Sequence, residues 1–251
     1  MVMRSRFRAA ARMEWIKLWS LRSTWWTLAL AAAAAVAIGL AVGLNTRNPS
    51  GDLTNNALAG VSVGLLLTGV LGVLMMTSEY TSGMIRATLA AVPDRPLVLA
   101  AKAAVFGGVA LALGEAVSFI SFFAGSATLP HGIAAPALDQ PGVLRAVMLS
   151  GASYCLIGLL GLGLGAIIRH TAAGVAVMAG GVYVIGQAIA AIAHPVLAYI
   201  PVSIVANSLS TTRPAGHGVR MLSPWAGLGV LCLYAAAALV IGGWRLVRLD
   251  A

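Results

Sequence analysis

Six apolar stretches, each long enough to cross a bilayer, occupy most of this chain: 25–44, 57–77, 103–123, 146–168, 172–193 and 225–243. Only one of them contains a charge, Glu115. At ~1.5 Å rise per residue, roughly 20 residues match the ~30 Å hydrocarbon core. Short helices of a water-soluble core would not need that length six times over. Composition agrees: 60% of residues are hydrophobic and 9% charged, against roughly 45–50% and about 25% in soluble domains. The expectation is an all-α membrane protein with six transmembrane helices, forming a single transmembrane domain over residues 1–251. The first stretch is read as retained, because Arg47, Asn48 and Pro49 follow it in place of a small-residue cleavage site. Cys155 and Cys232 both fall inside spans, where packing as small hydrophobes explains them.

Lys and Arg sort by side. Arg4, Arg6, Arg8, Arg12, Lys17, Arg22, Arg86, Arg95, Lys102, Arg169, Arg245 and Arg248 fall on one side of the predicted spans, and Arg47, Arg145, Arg213 and Arg220 on the other. The positive-inside rule places the larger group in the cytoplasm, so a multi-pass cell (plasma) membrane protein with both termini cytoplasmic is expected. The net charge of +9 then serves topology and attraction to the lipid bilayer. Spans divide the basic residues, so no groove-sized nucleic-acid patch forms.

Residues 1–24 read as a cytoplasmic interfacial helix, uninterrupted by Gly or Pro. At helical spacing Phe7, Ala11, Trp15, Leu18 and Trp19 share roughly one side. Trp beside Arg suits the headgroup zone. Before the last span, the apolar run 196–209 is broken by Pro201. It is too short to cross, so a re-entrant or interfacial segment is expected there.

Chemistry-bearing motifs are sparse. Walker A needs Gly directly before its Lys, but Lys17 follows Ile16 and Lys102 follows Ala101. No cofactor is expected on this chain. Gly60-Val61-Ser62-Val63-Gly64 fits G-x-S-x-G, but it lies in an apolar run and not at a strand-to-helix elbow. His131, His170, His194 and His217 lack metal-ligand spacing. Gly161 and Gly165 in the fourth span would let a helix approach closely, from this chain or from another. Glu115 is a candidate for the substrate pathway, because an intramembrane carboxylate is expensive. The bland alternative is a protonated carboxyl bonded to Ser118 or Ser121.

The densest constellation lies between spans two and three. It comprises Glu79, Tyr80, Gly83, Arg86 and Leu89, followed by Pro93, Arg95, Pro96 and Lys102. Glu79 and Arg86 are spaced for one helical face, and Pro93 and Pro96 are expected to end that helix. This segment resembles the loop between the second and third helices of ABC-2 type transporter permeases. The upstream Glu14, Lys17, Ser20 and Arg22 resemble that family's N-terminal interface helix. Met84 departs from the Thr usual after the Gly.

The resemblance implies a permease subunit of an ATP-driven exporter, not itself an enzyme. It would pair with a second permease subunit, as a homo- or heterodimer, and with an ATP-binding cassette subunit carrying ATP and Mg. Glu79, Tyr80, Gly83, Arg86, Pro93 and Arg95 would form the coupling contact with that ATPase. Glu14, Lys17 and Arg22 would belong to the interface helix. Relatives of this kind carry drugs, peptide antibiotics, lipids or ions. Two alternatives come from other classes: a proton-coupled secondary transporter using Glu115, and a membrane-embedded lipid-modifying enzyme.

Overall fold

A computed structural model describes residues 2–20, 22–47, 51–130, 132–192, 194–211 and 221–248. Arg213, Arg220, His131 and His217 lie outside the described residues, as do Asn48 and Pro49. Every described element is a helix, and there is no strand among the described residues. In chain order they are α1 (Val2–Ser20), α2 (Arg22–Asn45), α3 (Leu53–Ala57), α4 (Val61–Thr81), α5 (Met84–Ala91), α6 (Arg95–Ala127) and α7 (Val143–Ile168). They continue with α8 (Thr171–Val175), a π-helical segment (Ala176–Ile185), α9 (Gly186–Ile192), a 3₁₀ turn (His194–Tyr199), α10 (Pro201–Leu209) and α11 (Pro224–Arg248).

Five of these helices, α2, α4, α6, α7 and α11, are long and apolar enough to cross a membrane. The second apolar stretch is divided. Asp52 caps α3 by accepting from the Asn55 backbone N–H, and a turn at Leu58–Gly60 then precedes α4. The fifth stretch is not among the five. Its described residues, 172–192, are helical throughout, but the central Ala176–Ile185 winds as a π-helix. Gly180 and Gly181 sit inside that segment, where they weaken the α preference.

Pro96 also departs from the sequence reading. It does not end a helix: Asp94 caps α6, with its carboxylate accepting from Leu97 N–H, and Pro96 occupies the first turn, where a missing N–H costs nothing. The helix runs 33 residues and carries Lys102 within it. Glu79 and Arg86 do not share a helix either. Gly83 takes φ 69°, in the left-handed region that favours glycine, and separates α4 from α5.

The core forms where α4, α6 and α11 pack on α7. Glycines set the α4–α7 distance. A Cβ on Gly161 would lie 2.0 Å from the Gly69 carbonyl oxygen, and one on Gly72 would lie 2.1 Å from that of Gly158. Gly165 likewise faces Val73. The small-residue stripe of α7 therefore packs within the chain. α11 meets α7 in the same way, with Gly163 against Ala238 and Gly242 against Ala166. Leu30, Ile120, Phe123, Leu233 and Val240 are exposed, an apolar outer surface that suits lipid rather than water.

α10 begins at Pro201 and buries Ile204 against Gly227 of α11. At that end Asp52 also accepts from Ser210 Oγ at 2.9 Å, Thr211 N–H at 2.6 Å and Thr211 Oγ1 at 2.9 Å. Arg145 donates to the Ser210 carbonyl at 2.8 Å.

Gly161→Val should break the α4–α7 seam and cost about 1–3 kcal/mol, the usual range for overpacking. Gly108→Ala, whose Cβ would meet nothing within 4 Å, should be neutral. Thermal unfolding of the detergent-solubilised protein, followed by size-exclusion chromatography, measures both.

Candidate functional site

Charged residues gather at the end of the bundle where α1, α5 and the start of α6 meet. Glu14 and Lys17 come from α1, Glu79 from the last turn of α4, and Lys102 from the second turn of α6. Glu14 is 1% exposed, Lys102 2% and Glu79 3%. Lys102 Nζ donates to Glu14 Oε2 and, at 2.8 Å, to Glu79 Oε1. Lys17 Nζ donates to Glu14 Oε1 at 3.1 Å, Glu79 Oε1 at 3.0 Å and Thr88 Oγ1 of α5 at 2.9 Å. All three ammonium hydrogens of Lys17 thus have acceptors. Two carboxylates and two ammonium groups make the set electrically neutral. Glu79 Oε2 is buried with no hydrogen-bond partner among the described residues.

Burial of four charges is tolerable only because each faces its opposite. Burial alone would lower the Lys17 pKa, but the Glu14 and Glu79 carboxylates outweigh it and hold it above the ordinary lysine value. This geometry also orients α1. Its buried residues are Ala10, Glu14 and Leu18; of the apolar side read from the sequence, Leu18 is buried, Phe7 and Ala11 are half-buried, and the two tryptophans are exposed. Trp15 and Trp19 are exposed and form a row of tilted rings with Trp25, with ring centroids 5.2 Å and 4.0 Å apart. The buried partners of Glu14 fix the rotation of α1, and the tryptophans face outward.

The coupling candidates divide accordingly. Glu79 is turned into the bundle. Tyr80 is half-buried, and the Arg169 guanidinium lies over its ring at 5.3 Å. Arg95 donates to the carbonyls of Leu246 at 2.8 Å and Val247 at 3.4 Å, answering acceptors at the end of α11. Gly83, Arg86 and Pro93 are exposed. Arg22 of the N-terminal set is exposed as well.

α5 is amphipathic at short range. Ile85 and Thr88 face in, while Met84, Arg86, Ala87 and Ala90 face out. A Cβ on Gly83 would meet nothing within 4 Å, so a side chain there is disfavoured by backbone conformation and not by a clash within the chain.

Two arginines fasten the neighbouring helix ends. Arg169, with φ 61°, closes α7 and donates to the Arg245 carbonyl at 2.7 Å. Arg245 returns a bond to the Ile167 carbonyl at 2.8 Å. Neither residue carries a motif that would have drawn attention to it.

Glu115 lies in mid-α6, partly exposed, with its carboxyl against the backbone of Gly151 in α7. It bonds neither Ser118 nor Ser121. Ser118 Oγ instead accepts from Ser150 Oγ at 2.7 Å, and Ser121 Oγ has no partner among the described residues. Ser62 of the G-x-S-x-G match sits in the first turn of α4, with no elbow around it. No protein-family model matches this chain, and no curated protein matches it.

Lys102→Met should destabilise by about 3–5 kcal/mol, because it leaves buried carboxylates under-compensated. Adding Glu14→Gln restores neutrality and should recover part of that loss, a non-additivity readable from thermal unfolding of the three variants. Lys17 supplies a pH test. Its folded pKa is raised, so its stabilisation is complete below its unfolded pKa of about 10.4 and is lost as pH rises through the folded value. Melting temperature should fall in that alkaline window, and Lys17→Met should remove the Lys17 share of the fall.

Proposed function

We propose that this chain is the transmembrane permease subunit of an ATP-driven exporter of the ABC-2 type. In this reading it crosses the membrane six times, counting the 171–192 segment as a crossing and α10 as an interfacial or re-entrant piece. Both termini are cytoplasmic. A second permease subunit completes the translocation path, and ATP and Mg are held by a separate ATP-binding cassette subunit.

One observation carries the reading: α5 is a short helix suspended between two long apolar helices, with its inner face anchored on the charge cluster and its outer face free. Thr88 accepts from Lys17, which in turn holds Glu14 of α1 and Glu79 of α4. A push on Met84, Arg86 or Ala87 is therefore delivered to three helices at once. In this role Glu79 is a positioning residue that braces α5 through Lys17 and Thr88, Arg95 fastens the start of α6 to the end of α11, and the docking contact falls to Arg86 and its exposed neighbours. Charge at such a surface sets orientation and partner choice more than raw affinity.

A proton-coupled transporter using Glu115 is the second reading. It rests on the placement of that carboxyl in mid-α6 without a hydrogen-bond donor among the described residues.

The two readings separate in reconstituted membranes. With its ATPase partner present, transport should follow ATP hydrolysis, and Arg86→Glu should cut partner co-purification at least about fivefold while the permease still inserts and folds. Glu115→Gln should leave ATP dependence in place. Transport that persists without any ATPase, collapses with the proton gradient and is lost in Glu115→Gln would overturn the exporter reading.

A further inference from the structure

An apolar groove of about 470 Å³ runs between the first turns of α6 and the last turns of α11. Pro96, Leu99 and Ala103 form one wall, and Leu239, Gly243 and Trp244 the other. From Pro96 to Ala103 it extends seven residues, about 10 Å along the helix, which is about a third of a hydrocarbon core. Its outer end carries charge. The Arg248 guanidinium lies over the Trp244 ring, 4.7 Å from the centroid, and has no carboxylate in ion-pair contact among the described residues. The nearby α11 carbonyls of Leu246 and Val247 are already answered by Arg95, so they do not compete for Arg248.

We propose that this groove holds one acyl chain of an anionic phospholipid whose headgroup phosphate sits on Arg248. The apolar walls recognise the chain by the hydrophobic effect alone. The phosphate is recognised by a guanidinium fork, the geometry best matched to it. Trp244 joins the two, with its ring walling the groove while its face steadies the cation. Basic groups at a membrane surface favour anionic lipid by about 1 kcal/mol each, and the single Arg248 therefore sets a modest preference on top of a chain-shaped site. A zwitterionic lipid fills the same groove, but its headgroup cation offsets the phosphate that Arg248 would hold.

Quenching of Trp244 by lipids brominated on their acyl chains tests the assignment, with the Trp244→Phe protein subtracted to isolate that one tryptophan. The full chain is reconstituted into nanodiscs of phosphatidylcholine containing a small fraction of brominated phosphatidylglycerol or brominated phosphatidylcholine. The anionic lipid should reach half-maximal quenching at about fivefold lower mole fraction. Arg248→Gln should abolish that preference and leave quenching by phosphatidylcholine intact. Gly243→Leu should reduce quenching by both lipids, because its side chain enters the groove. A Cβ there meets only Leu99 Cδ2, at an ordinary 3.4 Å, so folding is preserved. Equal half-points for the two lipids, or an Arg248→Gln protein that keeps the preference, would overturn the proposal. So would Trp244 inaccessible to both lipids together with a Val240→Cys disulfide between chains, which would mean that a second copy covers the groove.

Discussion

Four charges that are neutral only as a set hold one end of this molecule together. Glu14, Lys17, Glu79 and Lys102 come from three helices, and Thr88 adds a fourth. None could be buried alone, since an isolated ion in such surroundings costs several kcal/mol. Each helix can therefore reach its place only when the others are present. α1 turns its tryptophans outward because Glu14 must point in. α5 lies against the bundle because Thr88 completes the coordination of Lys17. The orientation of the exposed Arg86 follows from that.

The remaining constraints are steric and complementary to it. Glycines bring α4 and α7 into backbone contact through Gly69, Gly72, Gly158 and Gly161. In lipid no hydrophobic force pulls one helix onto another, so such close approach supplies the packing energy instead. At the far end Asp52 gathers Ser210 and Thr211, tying the connection after α2 to the end of α10. The bundle is thus fixed by buried charge at one end, by small residues in the middle and by a carboxylate at the other.

Span lengths were largely legible, because length and apolarity are local properties. α2, α7 and α11 each extend the predicted stretch by a few residues, since polar helix ends do not register as hydrophobic. What failed was winding. Gly60 sits in an apolar run that gives no sign of the turn before α4, and the π-helical 176–185 segment is as apolar as an α-helix would be. The charged residues were found but misplaced. Glu79 reads as part of a separate short helix shared with Arg86, although it belongs to the last turn of α4, and Lys102 lies two turns inside the helix capped by Asp94. Equal numbers of opposite charges at the margin of apolar runs were the available signal for a buried set. Asp52 was passed over, though an Asp three residues before Asn55 is an N-cap pattern.

The paired bonds from Arg169 to Arg245 and from Arg245 to Ile167 restrict how α7 and α11 can move. A ratchet by one turn, about 5.4 Å, would strip both guanidinium groups from their carbonyls at once. A tilt of the two helices together disturbs neither. The pair is geared to pivot as a single lever, and the left-handed residue Arg169, after which the chain enters the 171–192 segment, is the joint at its end.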